Sequence, residues 1–375
     1  MLGALAGKPP VAPEAKTPVE GRRVSAPAAR PDSDAVGTGI HRANTQSSMP
    51  ETTTITPDDV AHALNGRIRG DMLTDRFSRA AYATAACIYR IPPLAVVVPK
   101  SADDVAAAVE AAGRLGIPVT ARGAGSGVVG QALGRGVILD FTKYMDRVLD
   151  IDTDAHLVRV QPGAVTGEIN EALAAHGLML GPDPSSAPFC TIGGNLGTNA
   201  SGARGIRYGS MREHVAWLDV VLADGSRTRL EPVDSGGEVW RALAERDDLL
   251  GRAAAGTRDL LEANADLLRA HRPYSPKHSA GYNLFDVLED GRLDLSRLIV
   301  GSEGTLAVIV EAAIRVVPKP SERASLLLWF DDLEKGGEAI HSILDLGPSA
   351  CEIMERVFLD IVRADGSVPE EYLPP

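Results

Sequence analysis

"ARGAGSGVVGQALG", residues 121–134, decides how the rest of the chain is read. It contains Gly125-Ser126-Gly127-Val128-Val129-Gly130, the glycine spacing of a loop that wraps a nicotinamide dinucleotide in a Rossmann fold. Such a loop has to open a helix of about ten residues or more, because the helix N-terminus brings amides and positive partial charge to the pyrophosphate. Here Gly134 and Gly136 interrupt any helix, and "GVILDF" begins a strand six residues after Gly130. No acidic residue closes a second strand at the required distance, and a Gly-Lys-Ser/Thr phosphate loop is absent too. The context test for a Rossmann site fails. Four glycines within residues 123–130, entered from a strand, still permit positive φ angles and let backbone N–H groups converge. Such a nest suits an anion, each hydrogen bond to a charged acceptor contributing about 1.5–3 kcal/mol. Taken by itself, the stretch also admits the less favoured reading of a linking loop with glycine turns.

Two further stretches tip that balance. "GPDPSSAPFCTIGGNLGTNASGARGIRYG" (181–209) is too long for a passive connector in a compact domain. Its Gly193, Gly194 and Gly202 permit close backbone approach, and Asn195, Thr198, Asn199 and Ser201 offer neutral hydrogen-bonding groups. "VGSEGTLAVI" (300–309) gives a third glycine-bounded turn. Three glycine-rich loops with apolar flanks point to an extended ligand lined largely by main chain.

The bulk numbers set outer bounds. The 375 residues allow about two domains, and 44% apolar with 23% charged residues is ordinary soluble-protein composition. A formal net charge of −12 argues against a nucleic-acid binder, which needs basic surface. Cys87, Cys190 and Cys351 lie too far apart for a CxxC element, and the histidines form no HxH or HExxH pair, so no metal site is expected. There is no apolar run of transmembrane length and no signal-peptide pattern, so the expectation is a reduced, cytoplasmic protein, with peripheral membrane attachment left open.

Along the chain, residues 1–55 are rich in Pro, Ala, Ser and Thr without apolar periodicity and are read as disordered; acidic residues within them argue against a transit peptide. Thr56 and Pro57 open a short helix, "LAVVVPK" is a buried strand, and Ser101 and Gly116 bracket the helix "SADDVAAAVEAAGRLG". "IPVTAR" delivers the chain into the first glycine loop. "GVILDF", "DRVLDID" and "HLVRVQPG" are short strands, "VTGEINEALAAHG" a helix, and residues 181–213 a long loop. "WLDVVLADGSRTRL" is a hairpin turning at Asp224-Gly225, residues 237–270 are helical, and "RLIVGSEGTLAVIVEAAIRVV" is two strands around a glycine turn. Beyond Pro318 and Pro320, "ASLLLWF" and "DLEKGGEAIHSILDLG" read as a strand–helix unit opening a second domain.

In this order and spacing the three loops resemble the flavin-binding domain of the vanillyl-alcohol oxidase/p-cresol methylhydroxylase (PCMH-type) superfamily. Within it they are most similar to FAD-linked oxidases such as D-lactate, glycolate and D-2-hydroxyglutarate dehydrogenases. "YRIPPLAVVVPKSADDVAAAV" resembles the family's opening strand and helix, "RGAGSGVVGQ" its pyrophosphate loop, "PDPSSAPFCTIGGNLGTNASGARGIRYG" its isoalloxazine and ribose loop, and "GSEGTLAVI" its closing turn. The similarity runs from about residue 70 to 320 and weakly beyond. It implies an α+β fold: a PCMH-type FAD-binding domain of two α/β subdomains over residues 56–320, then the start of an α+β cap (substrate) domain over 321–375.

The resemblance also implies site residues. Amides of Arg122, Gly123, Ala124, Gly125, Ser126 and Gly127 would cradle the FAD pyrophosphate, with Gln131 nearby. Pro182, Thr191, Gly193 and Gly194 would lie along the flavin, and Asn199, Ala200 and Gly202 near the ribityl chain or pyrophosphate. Glu303, Gly304 and Ile309 would flank the dinucleotide. Many relatives carry Thr-Ser where this chain has Ser126-Gly127, so one side-chain hydroxyl is missing. With no histidine in 121–134, FAD is expected to be held non-covalently.

The implied reaction is oxidation of a D-2-hydroxy acid such as lactate, glycolate or 2-hydroxyglutarate, a base taking the hydroxyl proton while hydride moves to flavin N5. The implied partners are that small substrate and an electron acceptor not encoded here: a quinone, cytochrome, flavoprotein or iron–sulfur module. The resemblance puts the catalytic groups on a later, histidine-containing and sometimes metal-binding motif that the sequence to Pro375 lacks, so the expectation is a fragment of a longer enzyme with no catalytic base named. His214 reads as a surface or hydrogen-bonding residue, and Lys277, Tyr282 and Asn283 in "SPKHSAGYNLFDVL" as either substrate-facing or packing residues. Two alternatives remain. One is another flavoenzyme on the same domain, such as a sugar oxidase or a UDP-N-acetylenolpyruvoylglucosamine reductase-like enzyme. The other is a non-catalytic flavin-binding fragment.

Overall fold

The structure, a computed structural model, describes residues 54–275, 277–366 and 368–369. The disorder expected for residues 1–55 falls almost wholly outside them. The described chain is mixed α+β.

The first layer is a four-stranded sheet of β1 (Asp71–Leu73), β2 (Ala95–Val98), β3 (Val119–Arg122) and β4 (Val137–Asp140), in the order β1-β2-β4-β3. β1 is antiparallel to β2, while β2 and β3 both run parallel to β4. Parallel neighbours need a crossover, and the helix Ala102–Leu115 supplies it between β2 and β3. Ser101 Oγ caps its start by accepting from Asp104 N, and Gly116, at φ 67°, ends it. Val105, Ala108, Val109, Ala111 and Ala112 form its inward stripe against Val97, Val137 and Leu139, all buried. The continuous "AVVV" and "VILD" strands are buried along their whole length, as a covered parallel sheet requires.

The second layer is an antiparallel sheet. β5 (Val148–Asp152) and β6 (Leu157–Val160) lead to the short β7 (Leu178–Met179), then to β8 (Val215–Val221) and β9 (Arg227–Leu230). A side unit contributes β10 (Val233–Asp234), β11 (Leu288–Glu289) and β12 (Arg292–Leu293), and the chain returns through β13 (Val308–Arg315) and β14 (Val317–Pro318). The sheet order is β5-β6-β13-β8-β9, so β13 closes it from the middle. β13 also ties the layers together. Val308 and Val310 pack into the first core with Val221, while Ala307 and Ile309 turn to the second core beside Ile192, Leu196 and Leu218. The side unit has its own small core of Trp240, Ala254, Leu261, Val287 and Leu293.

Four expectations need correction. The loop expected over 181–213 contains three short helices, Ile192–Gly197, Gly205–Tyr208 and Met211–His214; the last is set by a capping box between Ser210 and Glu213. The helical stretch 237–270 breaks into Glu238–Ala244, Leu249–Ala263 and Ala265–His271, because Asp248 starts a new helix by accepting from Gly251 N. The stretch read as two strands around a glycine turn holds a helical turn, Ser296–Ile299, before β13. Asp294 Oδ1 accepts from Ser296 N (3.0 Å) and Oγ (2.5 Å) and starts that turn. Finally, 324–330 forms no strand, since no described segment pairs with it; Leu326, Leu327, Leu328, Trp329 and Phe330 are exposed, and only the helix Leu333–Leu344 of the expected unit forms.

Candidate functional site

The three glycine loops meet in one cleft. The first leaves β3 and returns at β4 with no helix between them. Gly123 is where it touches the second loop: a Cβ there would stand 1.9 Å from Thr191 Oγ1. Thr191 begins the helix Ile192–Gly197, whose carbonyls in turn hold the third loop. Gly301 N donates to Leu196 O and Glu303 N to Gly197 O, both at 2.9 Å. Asn199 (φ 50°) and Glu303 (φ 53°) adopt the left-handed region without being glycine. For Glu303 that conformation costs on the order of 1 kcal/mol or more, and it sits on the cleft wall.

The cleft is lined by Arg122, Gly123, Ala124, Gly125, Ser126, Gly127 and Gln131 from the first loop. Thr191, Gly193, Gly194 and Ala200 come from the second, and Glu303, Gly304 and Ile309 from the third and β13. The structure thus brings these sequence-singled residues together. It does not bring in Pro182, Asn199 or Gly202. Pro182 is buried, and Asn199 Oδ1 accepts from Arg212 N (3.0 Å). Gly202, at φ 98°, lets the two arms of its loop touch: a Cβ there would lie 1.8 Å from Asp183 O. Arg204 clamps the same junction through Nε to Asp183 Oδ2, 2.9 Å. These residues shape the loop from behind.

Several polar groups of the lining have no protein partner. The amides of Ala124, Gly125, Ser126 and Gly127 donate to no acceptor among the described residues. Gln131 Oε1, Thr191 Oγ1 and Ser302 Oγ are buried without a hydrogen bond among those residues. Leaving a buried group unsatisfied costs about 1–3 kcal/mol, so three such oxygens in one cleft, beside amides that face solvent, describe a surface shaped for a polar ligand. Thr191 makes the point locally, since it stands at a helix N-cap yet forms no side-chain cap bond. Free amides match pyrophosphate oxygens, and the buried hydroxyls and amide oxygen can serve polar edges of a ring or ribityl chain. The residues present fit FAD.

Arg122 plays a part beyond its amide. Its guanidinium donates to Tyr82 O (3.3 Å), Thr84 O (3.0 Å) and Ala132 O (3.4 Å) and lies 5.2 Å from the Tyr82 ring centroid. The Tyr82 hydroxyl donates to the buried Asp140, which also accepts from Thr142 N (2.9 Å) and Oγ1 (2.7 Å). Burial, then the Asp140 bond, pushes the Tyr82 phenol up to about 12. Ala86 N donates to Gly125 O at 2.9 Å. Segment 82–86 is therefore a brace fixing the glycine loop from its outer side, and no sequence motif signalled it. Sequence reading also passed over Phe141, Pro162, Ser302 and Ala307 as cleft residues; of these, Ser302 and Ala307 lie inside "GSEGTLAVI" and so carried a signal.

Among the earlier candidates, His214 takes the hydrogen-bonding alternative and is buried rather than on the surface. Its Nδ1 faces Arg315 O (3.2 Å) and its Nε2 faces Tyr208 O (2.6 Å). Asn283 is buried too, with Nδ2 donating to Arg297 O at 3.4 Å, which is a packing role. Lys277 is exposed and outside the cleft lining. Tyr282 is partly exposed and meets Thr305 Oγ1 at 2.8 Å, one residue from Gly304.

Comparison with known proteins agrees with this geometry. Residues 93–231 match the family described as "FAD binding domain". The chain is 34% identical over 268 residues to a D-2-hydroxyglutarate dehydrogenase of Pseudomonas putida, covering 70% of this chain and 26% of that protein. It is 29% identical over 279 residues to the glycolate oxidase subunit GlcD of Bacillus subtilis, covering 73% and 48%. To a D-lactate dehydrogenase of Anaerostipes hadrus it is 30% identical, covering 70% and 45%. The chain thus spans between a quarter and a half of these curated relatives. A solved alkyldihydroxyacetonephosphate synthase shares the fold at TM-score 0.50 and 21% identity, over 72% of this chain and 42% of that one. Residues 93–231 are thus similar to the FAD-binding domain family, and FAD is the cofactor that this match indicates.

Proposed function

We propose that this chain is the flavin-holding part of an FAD-dependent oxidoreductase that oxidises a D-2-hydroxy acid. The observation that carries the reading is the cleft itself. The first loop presents unpaired amides, and each of the three loops adds one buried, unpartnered side-chain oxygen to the same space. The relatives' names point to 2-hydroxyglutarate, glycolate or lactate as the substrate class. Bound FAD supplies the two-electron acceptor that the protein lacks. The chain's own share is to grip the pyrophosphate on the 124–127 amides, with Gln131 beside them, and to fix the ring through Thr191, Gly193 and Gly194. Residues 56–320 would be the flavin domain and residues 321–375 the beginning of a cap, with Pro182, Asn199 and Gly202 supporting the second loop.

A second reading is favoured by one observation. Among the described residues the titratable side chains lining the cleft are Arg122, Cys190 and Glu303, with no histidine, lysine or tyrosine to take a hydroxyl proton. On that reading the chain is a non-catalytic flavin-binding fragment that oxidises no hydroxy acid itself. Anaerobic addition of D-lactate, glycolate or D-2-hydroxyglutarate to the FAD-loaded protein separates the two. Bleaching of the flavin band supports the oxidoreductase reading. A yellow protein bleached by none of them supports the second, and a colourless protein that FAD cannot reconstitute defeats both.

A further inference from the structure

A second cavity lies beside the helix Met211–His214, lined by Arg212, Glu213, Arg272, Asp286, Glu289 and Arg297. It shares no lining residue with the FAD cleft. Three cations face three carboxylates, yet they pair unevenly. Arg272 is salt-bridged to Asp286, and Arg297 reaches Glu289 and Asp294, each at 3.4 Å. The Glu213 carboxylate is taken up by Ser210 N and Oγ, both at 2.7 Å.

Arg212 is left over. It is 5% exposed, its Nε has no partner, and among the described residues its guanidinium reaches only Val300 O, at 3.5 Å. Asn199 stands next to it and is 1% exposed, with Nδ2 also unpartnered. Arg212 is thus the lining residue with an unpartnered donor, and Asn199, behind it and outside the lining, offers it no acceptor for the side chain. Burial pushes the Arg212 guanidinium down from its usual range, with Glu213 and Asp286 opposing, but an arginine still keeps its charge. His278 is also held below the usual imidazole range, by burial first and by Arg212 second. Glu213 and Asp286 attract Arg212 only at a distance, and a buried cation without a direct ion pair among the described residues is costly.

We propose that this cavity binds a small monocarboxylate, gripped by the Arg212 guanidinium. The planar fork of arginine matches the two oxygens of a carboxylate. One cation without a direct ion pair has room for one added negative charge, and the repulsion from Glu213, Asp286 and Glu289 in the same lining weighs about twice as heavily on a phosphate dianion as on a carboxylate. The site stands independently of the proposed reaction, because its lining contains no FAD-cleft residue.

The test uses the purified, FAD-loaded full chain with sodium acetate as the probe, since acetate lacks the hydroxyl that flavin oxidation needs. Thermal unfolding is followed at constant ionic strength, with sodium chloride replacing acetate in the control. The expected result is saturable stabilisation of about 3 °C at ten times the half-saturating concentration. Arg212→Met should abolish that response. Arg212→Lys keeps the charge but loses the fork, and should raise the half-saturating concentration at least about tenfold. If Arg212→Met fails to fold, the Arg212→Lys shift decides. Acetate acting no differently from chloride overturns the proposal, as does an unchanged response in the variant that folds. Inorganic phosphate binding more tightly than acetate overturns the monocarboxylate assignment.

Discussion

Substituting Gly123 with alanine tests the joint between the first two loops. The added Cβ would stand 1.9 Å from Thr191 Oγ1, more than an ångström inside contact, while Thr191 Cβ and Cγ2 would lie at 3.2 and 3.5 Å. The clash is thus almost wholly with the hydroxyl that faces the cleft. Threonine is stiff at χ1, so relief requires a different rotamer or separation of the loops. Overpacking of this kind costs about 1–3 kcal/mol. Charged to cofactor binding, it weakens FAD roughly 5- to 150-fold. Titration of apo-protein by quenching of flavin fluorescence reads the change, and thermal unfolding without FAD separates it from global destabilisation. Thr191→Ala alone removes one hydrogen bond, about 1 kcal/mol or a fivefold loss. In the double variant the nearest remaining atom is the residue 191 Cβ at 3.2 Å, so most of the Gly123→Ala penalty should disappear. Wild-type FAD affinity in Gly123→Ala, or strictly additive effects in the double variant, would refute the reasoning.

Tyr82→Phe removes a donor from buried Asp140 and should destabilise the fold by about 1–3 kcal/mol. Because the folded Tyr82 pKa lies at about 12, above the unfolded value near 10, the native state keeps a proton that the unfolded chain releases. Its contribution is complete below pH 10 and is lost as pH rises from 10 to about 12; urea midpoints with the same pH slope in Tyr82→Phe would contradict this. Gly202→Ala should cost more than about 2 kcal/mol, read as a fall in Tm of several degrees, because its φ is 98° and its Cβ would meet the Asp183 carbonyl at 1.8 Å. An unchanged Tm would count against the loop-closing role. Denatured protein passed through gel filtration should lose its flavin; yellow protein after that step would mean a covalent tether, with the cleft-lining Cys190 the residue to examine.

Local signals carried the first layer well. Ser101, Gly116, Thr56 and the unbroken "AVVV" and "VILD" runs each encode one structural choice within a few residues, and the chain follows them. The absence of a helix after Gly130 was legible in the same way, from Gly134 and Gly136. What the sequence hid depends on partners far along the chain. Segment 324–330 has the composition of a strand but no described neighbour to bond with. Asp294 turns its segment helical through a side-chain bond that an apolar pattern does not register. In the cleft, glycine spacing marked the lining residues, whereas Gly202 and Asn199 look alike in sequence and face away, toward Asp183 and Arg212. The Arg122–Tyr82–Asp140 brace joins positions 40 and 58 residues apart and left no motif to find.

The central claim is that this cleft holds FAD on the free amides of residues 124–127. Titrating apo-protein with FAD at neutral pH, with excess NAD⁺ present as competitor, tests it most directly. The account predicts saturation at one FAD per chain, undisturbed by NAD⁺. No saturable FAD binding, or displacement of FAD by NAD⁺, would contradict it.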